Sequence, residues 1–541
     1  MADETSTSPA KENVATPEAE AGPAGSFRVL EWSIACLAAA VPLVVLVFKV
    51  SNHGLAFPYW DQWLFSLLLD ESFRGELEPA WFWAQHNEHR LLFPRLLMFV
   101  LARLTRWNVG YELASSVVMA TGTFTVCVCL ARRTVASCGK TLSPWCVPVF
   151  SALVFSWAQM ENWVWGWQLQ IFMNTLAVTG GVALLAGNSG SWRRLVFAIL
   201  LGVVATCSFA NGLLCWFAVL PLVVIETNGG THKRAGRLTV WMIAFLVVAA
   251  LYFHGYNSPT VNPSFGSALR APSRYAGYVV LYLGGPVTGL MTQPSWHGNP
   301  SPFNTACFMP GIAGLVGYGA LSYMAVKERD RLLRASMPWL CLGAYAVGSA
   351  LVTGATRAGF GLEHALTSRY MTIAALFWVG LTGLVFVWTG AREWSTQEIR
   401  RGRIAAAAIA IMLSVPGTYL FVRHNQWWEN ICRWKQMGWE AILAGHETEL
   451  YLQDICWDPE ELQNTYLPIV KKHRLCGFET AKPDPERATA YVNEALRFIN
   501  ARRLDLARTY LETAMILDPE HEQAKRLFKR VERAMGKHVP Q

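Results

Sequence analysis

The 541-residue sequence is poor in charge. Asp, Glu, Lys and Arg make up 16% of it and hydrophobic residues 53%, whereas ordinary soluble domains carry roughly 25% charged residues. The deficit comes from long uncharged runs such as "WSIACLAAAVPLVVLVF", which approach the roughly 17–25 residues that a helix needs to cross a bilayer. A soluble protein is therefore excluded, and the predicted fold class is all-α, with a polytopic transmembrane helical domain.

Several motifs that would indicate other classes of protein are also missing. None of the 12 cysteines lies in a CxxC pair, so a zinc-ribbon or iron–sulfur site has no support. Residues 1–26 lack the basic segment of a cleavable signal peptide, and we expect a disordered tail followed by a retained membrane anchor. The net charge of +8 comes from basic residues gathered in short loops and requires no nucleic-acid partner.

About eleven spans are predicted within a membrane domain over residues 27–425. They lie near 28–50, 110–131, 144–160, 169–187, 194–210, 211–226, 238–254, 310–326, 335–353, 371–390 and 404–422. The basic clusters between them fall on one side if the N-terminus is cytoplasmic, as the positive-inside rule requires. Two further apolar segments, 91–105 and 274–290, are assigned to the outer surface as interfacial or re-entrant helices. The predicted location is the plasma (inner) membrane, with the C-terminal domain non-cytoplasmic.

Residues 426–541 have the composition of a small soluble α-helical domain. Counted back from Pro519, the residues Ala514, Leu511, Ala507 and Ala495 match the helix-packing positions of a 34-residue tetratricopeptide unit near 488–521. The unit is interpreted either as a docking module for a protein partner or as a helical cap on the membrane domain. A disulfide is permitted on the outer side of the membrane, and its pairing among Cys432, Cys456 and Cys476 is left open.

The predicted outer loops carry the ionisable residues. Asp61 lies between Trp60 and Trp63 and is either a loop acid or a general base in a partly dry site. The stretch His86–Arg90 follows, and in a helix His86, His89 and Arg90 would share one face. Its spacing is not HExxH, but His86 and His89 with Asp61 or Glu88 are candidate ligands for a divalent metal.

Three more outer segments carry candidate binding residues. Trp165 with Glu161, Asn162 and Gln168 forms a tryptophan–amide mixture that suits either sugar recognition or an interfacial aromatic belt. Asn211 is expected in a tight turn between two spans. Arg357 and Arg369 lie on the loop before the 371–390 span, where a guanidinium either forks a lipid-linked phosphate or snorkels to headgroups.

The layout of residues 28–425 resembles the GT-C superfamily of polyprenyl-phosphate-sugar-dependent membrane glycosyltransferases. The shared features are a first span, an acid soon after it in a long outer loop, helices along the membrane, many further spans and an outward soluble tail. Members usually carry two acids in the first loop, whereas Gln62 follows Asp61 here, so a divalent metal is not supported by a two-acid motif. A transferase followed by tetratricopeptide repeats also looks like an arrangement known among protein O-mannosyltransferases.

The resemblance implies roles for the polar residues. Asp61 would accept the proton of an acceptor hydroxyl, while Arg369 and Arg357 would stabilise the departing phosphate. Glu88, His86 and His89 would position the lipid-linked sugar donor or assist with a metal. The residues expected to bind substrate are Arg90, Glu161, Asn162, Trp165, Gln168, Asn211, Arg357 and Arg369.

Two other functional classes compete with a transferase. A secondary transporter should show internal repeats and polar features near the bilayer midplane, whereas the ionisable residues here lie at span ends. A non-catalytic membrane assembly protein would act through its tetratricopeptide-like tail, with Asp61 and Glu88 scattered rather than convergent. The position of Asp61, Glu88 and Arg369 relative to one cavity distinguishes these classes.

Overall fold

The computed structural model describes residues 23–186, 190–225, 231–259, 270–288, 305–328, 331–478 and 484–536. The disordered tail expected over 1–26 lies almost wholly outside these residues. The longer helices are Pro23–His53, Leu92–Thr105, Gly110–Ser137, Leu169–Leu185, Trp192–Thr206, Thr231–Phe253, Pro272–Thr288, Phe308–Lys327, Arg331–Arg357, Met371–Ala391, Thr396–Met412, Gln426–Leu443, Pro485–Asn500, Leu504–Leu517 and Glu522–Ala534.

Short elements connect these helices. The short α-helices are Phe65–Arg74, Ala80–Trp83, Cys146–Val154, Met160–Val164, Cys215–Ala218, Leu220–Ile225, Thr418–His424, Glu449–Ile455, Pro459–Glu461 and Leu467–Lys472. Single 3-10 turns are Trp60–Leu64, Trp157–Gln159, Gly166–Gln168, Ala210–Leu214, Thr305–Cys307, Ala358–Phe360, Glu363–Leu366 and Ser368–Tyr370, and π-turns are Leu413–Gly417 and Leu462–Tyr466. Within the described ranges, the strands are Gln85–His86 and His89–Arg90, which form one antiparallel hairpin. The all-α prediction is confirmed.

Eight helical segments are long and apolar enough to cross a membrane. They are Arg28–His53, Gly110–Ser137, Gly166–Leu185, Thr231–Phe253, Thr305–Lys327, Leu332–Phe360, Ser368–Ala391 and Thr396–His424. Gly166–Leu185, Leu332–Phe360 and Ser368–Ala391 are mostly buried inside the protein, whereas the other five are largely exposed. Because a helix that is apolar on all sides belongs in the interior, these three form the centre of the bundle.

Three of the predicted spans are short or interrupted. The 144–160 segment contains the helix Cys146–Val154, and the 211–226 segment is broken into Cys215–Ala218 and Leu220–Ile225. The helix Trp192–Thr206 has 15 residues and is about 22 Å long, less than the roughly 30 Å of a bilayer core. The turn after it brings two backbones together, since a Cβ at Gly212 would overlap the carbonyl of Ala205; only glycine fits there.

The segment 426–478 packs directly against the membrane domain, so the end of the last apolar helix is not a break in packing. Trp439 of the helix Gln426–Leu443 stacks on Phe57, with ring centroids 5.1 Å apart. Trp63 donates a hydrogen bond from Nε1 to the carbonyl of Ile455 at 3.2 Å. Cys432, Cys456 and Cys476, the candidates for a disulfide, are buried, and no disulfide joins any two of them.

The last three helices enclose a second, smaller core. The fully buried Ala495, Ala507, Ala514 and Leu511 lie between Pro485–Asn500 and Leu504–Leu517, because small residues allow the two helices to approach closely. Met437 of the helix Gln426–Leu443 belongs to this core as well. One helix therefore contacts the membrane domain on one face and the terminal helices on another.

Candidate functional site

A cavity of about 660 Å³ lies where the segment after the first long helix meets the ends of several membrane helices. Its wall includes several parts of the chain: the 3-10 turn Trp60–Leu64, the hairpin 85–90, the segment 165–170, the turn 209–214 and the residues around 252–259, 352–357 and 369–373. Cavities of roughly 300–1,000 Å³ are typical of small-molecule sites. Its polar lining residues are Asp61, His86, Asn87, Glu88, His89, Gln168, Gln170, Asn211, Ser258, Thr353, Thr356, Arg357 and Arg369.

The residues His86 to Arg90 form a hairpin and not the helix in which His86, His89 and Arg90 would share one face. Asn87 adopts the left-handed conformation with φ of 47°, which asparagine tolerates better than most residues. The side chain of Gln85 donates to the carbonyls of Asn87 and Asn257 at 2.6 Å. His86 and His89 are direct partners across the hairpin, so both side chains point to the same face.

Asp61 is the most accessible carboxylate of the site, with its side chain 32% exposed. Its Oδ2 lies 3.3 Å from Nε2 of His86, and the His86 ring meets the edge of Trp167 at 5.0 Å. The preceding Trp60 has φ of 52°, which is uncommon for a residue other than glycine. The turn thus holds Asp61 beside an imidazole at the cavity wall.

Glu88 and His89 have fixed charge states. Glu88 Oε1 accepts a hydrogen bond from Nη2 of Arg357 at 2.7 Å. Burial acts to raise the pKa of Glu88, but the interactions with His89 and Arg357 and a backbone hydrogen bond together outweigh burial, and the pKa is lowered. Burial lowers the pKa of His89 to about 4, and its Nδ1 accepts a hydrogen bond from the backbone N–H of Ala210 at 3.0 Å. Glu88 is therefore ionised and His89 neutral near pH 7.

Arg369 is supported from behind by residues of the tryptophan–amide segment. Its Nη2 lies 3.2 Å from Oε1 of Glu161. Asn162 donates from Nδ2 to the carbonyl of Arg369 at 3.1 Å and to Oγ1 of Thr372 at 2.8 Å. Glu161 and Asn162 fix the backbone and guanidinium of Arg369, while Arg369 itself reaches the cavity.

Most of the residues predicted from the sequence line this cavity. Asp61, His86, Glu88, His89, Trp165, Gln168, Asn211, Arg357 and Arg369 are brought together in its wall. Glu161 and Asn162 lie behind it, as described above. Arg90 does not line the cavity either. It is buried and donates hydrogen bonds to the carbonyls of Trp83, Tyr252 and His254 at 2.7–3.2 Å. Arg90, Glu161 and Asn162 are thus outside the cavity wall, and their contacts with other protein groups place them as supports of the residues that line it.

Several lining residues were not among the sequence candidates. They include Gln170, Tyr252, Tyr256, Tyr282 and Tyr370. Gln170 belongs to the same tryptophan–amide stretch as Gln168, so the composition of that stretch was a usable signal. The tyrosines come from apolar segments far apart in the chain, and Tyr282 reaches the site by stacking on Tyr370 at 5.5 Å. No local pattern marks them.

The metal site considered for His86 and His89 is not assembled. Among the described residues, no group of three or more His, Cys, Asp or Glu side chains is placed to hold a metal ion. His89 uses Nδ1 for the Ala210 N–H, and Glu88 is engaged by Arg357. The geometry supports an Asp61–His86 pair and a separate Glu88–Arg357 pair.

Comparison with known proteins adds no family to this geometry. No protein-family model, curated protein or solved structure matches the chain.

Proposed function

We propose that the chain is an integral membrane glycosyltransferase that moves a sugar from a polyprenyl-phosphate donor to an acceptor hydroxyl on the non-cytoplasmic face. The observation that carries the proposal is the convergence of Asp61, Arg357 and Arg369 on one cavity together with Trp165 and Gln168. This transfer needs three groups of side chains: an acid to take the acceptor proton, cations to bind the phosphate, and aromatic and amide side chains to bind the sugar. A non-catalytic assembly protein gives no reason for their convergence.

Asp61 is the general base in this proposal. The acceptor oxygen attacks the anomeric carbon, the bond from that carbon to the phosphate oxygen breaks, and the acceptor proton passes to the carboxylate. Inversion at the anomeric carbon is expected for this single displacement. Glu88 is a poorer base than Asp61, because its Oε1 is hydrogen-bonded to Arg357 at 2.7 Å. His86, 3.3 Å from Asp61, orients the base.

Arg369 and Arg357 stabilise the departing phosphate. Both guanidinium groups line the cavity, and each is held by a carboxylate, Glu161 or Glu88. Burial and the charges of Arg369 and Arg357 together lower the pKa of His364 to about 4, an effect expected of a positive local potential. Such a potential favours the charge that develops on a leaving phosphate.

The tryptophan–amide wall binds the sugar. Indole faces stack on the C–H groups of a pyranose, and amides exchange hydrogen bonds with its hydroxyls. Trp165 donates a hydrogen bond from Nε1 to the carbonyl of Tyr59 at 2.9 Å, which holds its indole in place. Gln168, Gln170 and Asn211 provide amides around the same space.

The proposed topology has about eleven crossings, with the cavity on the outer side. The three short or interrupted segments, 146–164, 192–206 and 215–225, cross in addition to the eight longer helices. With an odd number of crossings, the C-terminal end of the first helix and the segment after the last helix lie on the same side of the membrane. The ion pair of 2.7 Å between Lys49 and Glu429 joins these two parts of the chain and so supports an odd number. The terminal helices, with their tetratricopeptide-like spacing, would then meet an acceptor or partner outside the membrane.

Replacing Asp61 tests the proposed chemistry. Asp61→Asn keeps size and hydrogen bonding but removes the charge, so sugar transfer should fall by about 10²–10⁴-fold, the usual contribution of a positioned base. Donor KM should change little, because the base acts on the acceptor. Arg369→Lys keeps the charge and loses the planar fork, so donor KM and turnover should both worsen. Transfer from a polyprenyl-phosphate sugar is followed in membranes, at matched protein levels.

Asp484→Asn is the matched control. Asp484 caps the helix Pro485–Asn500 by accepting from the N–H of Arg487 at 3.0 Å, and asparagine caps a helix equally well. Its activity should equal that of the wild type. A stable, fully active Asp61→Asn protein would remove Asp61 as the base, and a silent Glu88→Gln as well would favour the assembly protein over the transferase.

A further inference from the structure

A second carboxylate lies immediately behind the proposed base. Glu112, near the start of the helix Gly110–Ser137, is 1% exposed. Its Oε2 accepts a hydrogen bond from Nε2 of Gln62 at 2.7 Å, and Gln62 is also 1% exposed. Burying a carboxyl group costs free energy even where a hydrogen bond satisfies part of it. A residue kept at such a cost calls for an explanation other than stability.

The space around the pair is closed. A Cβ at Gly166 would lie 2.7 Å from Oε2 of Glu112 and 3.2 Å from Nε2 of Gln62. The Gly166 backbone therefore covers the hydrogen bond, and its neighbours Trp165 and Trp167 line the cavity. Glu112 thus contacts both the turn that contains Asp61 and the tryptophan–amide segment that is proposed to bind the sugar.

Gln62 is the only polar neighbour of Asp61 in the turn, and it faces away from the cavity. The turn begins at Trp60 in a left-handed conformation, with φ of 52°, and continues to the fully buried Trp63. A strained residue persists only where its surroundings hold it in place. The hydrogen bond of Gln62 to Glu112 is such a restraint, since Gln62 follows Asp61 directly.

We propose that Glu112 is a positioning residue: through Gln62, it fixes where the Asp61 carboxylate stands in the cavity. The inference rests on the proposed role of Asp61 as the base. It assigns Glu112 no contact with substrate and no proton transfer. Positioning of this kind affects the reacting geometry, and a misplacement of about 1 Å can reduce turnover by about 10²-fold.

An acid–amide exchange tests the proposal. Glu112→Ala removes the acceptor and should lower kcat by about 10- to 100-fold with donor KM unchanged, whereas Glu112→Gln keeps an acceptor oxygen and should be much milder. Gln62→Glu places two carboxyl groups in one buried site and should also lower kcat. The double variant Gln62→Glu, Glu112→Gln restores one acid and one amide, and it should recover kcat to within about 3-fold of the wild type.

Glu440→Gln is the matched control for loss of a buried carboxylate. Glu440 is 4% exposed and accepts from the Tyr491 hydroxyl at 2.5 Å on the C-terminal side, so its loss should leave kcat unchanged. If Glu112→Ala lowers only the amount of folded protein, with kcat per folded molecule intact, Glu112 is structural and the proposal is overturned. Failure of the double variant to recover activity overturns it as well.

A measurement without sugar transfer separates this inference from the proposed function. Asp61→Cys is introduced with Cys36 and Cys129, the exposed cysteines, replaced by alanine. A charged thiol reagent should modify residue 61 at a different rate when Glu112→Ala is added, and at the original rate in the double exchange. Equal rates in all backgrounds would refute the positioning role, whether or not the wild type transfers sugar.

Discussion

Burial and ion pairing together determine the charge of the side chains around the cavity. His89 is enclosed by Phe209, which stacks on it at 4.4 Å, and by the Ala210 N–H. Its pKa is about 4, against about 6.5 in an unfolded chain. Glu88, the preceding residue of the same hairpin, stays ionised because Arg357 forms an ion pair with it. Adjacent residues of one hairpin thus differ in charge for local reasons.

His89 should make the protein sensitive to mild acid. As pH falls from about 6.5 to about 4, the unfolded chain takes up a proton that the folded protein does not, so the free energy of unfolding decreases by up to about 3 kcal/mol. The loss is complete below pH 4 and absent above pH 7. Thermal unfolding in detergent should show a larger drop in Tm between pH 7 and pH 4 for the wild type than for His89→Asn.

The exposed His446 provides the comparison for that measurement. His446→Asn should leave the pH dependence of Tm as in the wild type. Equal drops in Tm for the wild type and His89→Asn would mean that His89 is protonated in the folded protein as readily as in the unfolded chain.

The proximity of Asp61, His86 and Arg369 could be predicted from residue type and position along the chain, because polar residues at span ends on one side of a helical bundle lie close together. Residue type and position were not enough for Arg90. The carbonyls that it binds belong to Tyr252 and His254, and that long-range proximity has no local signal. The Gln62–Glu112 contact joins two segments in the same way.

At the scale of elements, the hairpin 85–90 and the helix Gln426–Leu443 decide how the site is built. The sequence "QHNEHR" contains one residue, Asn87, suited to a left-handed turn, so a helix with Glu88 in its first turn was an equally consistent pattern. The tail helix presents Lys435 to the Tyr59 ring at 4.5 Å and Trp439 to Phe57. Its other face carries Met437 into the terminal core.

These two faces should have different effects on turnover. Trp439→Ala removes a buried indole, which costs roughly 3–5 kcal/mol in a well-packed core, and it releases Phe57 and Trp63 beside the Asp61 turn. Sugar transfer per folded molecule should fall by about tenfold or more. Met437→Ala should loosen the terminal helices and leave turnover near the wild-type value.

Limited proteolysis identifies which part has loosened. Cleavage within the helices Pro485–Asn500 and Leu504–Leu517 should increase in Met437→Ala, because Met437 belongs to their core, and it should increase less in Trp439→Ala. Unchanged sugar transfer by Trp439→Ala would show that the tail helix does not support the Asp61 turn.

At the scale of the whole molecule, the bundle has three buried central segments surrounded by exposed ones. The lengths of its long helices could be predicted, because the apolar run of a spanning helix matches the thickness of the bilayer. The interrupted segments around 146–164 and 192–225 were harder to define, since an apolar composition does not reveal where a helix stops. The pairs of Glu429 with Lys49 and His53 tie the end of the first helix to the tail. Both therefore lie at one end of the bundle.

Labelling of intact cells tests the orientation that follows. Single cysteines replace the exposed residues Asn52, Gln523 and His232, in a protein whose Cys36 and Cys129 are replaced by alanine. Asn52 lies in the last turn of the first helix and Gln523 in the last helix, so a membrane-impermeant thiol reagent should modify both from outside. His232 lies among Lys233 and Arg234, which favour the cytoplasmic side, and it should react only after the membrane is opened. Modification of His232 alone in intact cells would place the cavity on the cytoplasmic side. A donor with its phosphate in the outer leaflet would then never meet Asp61.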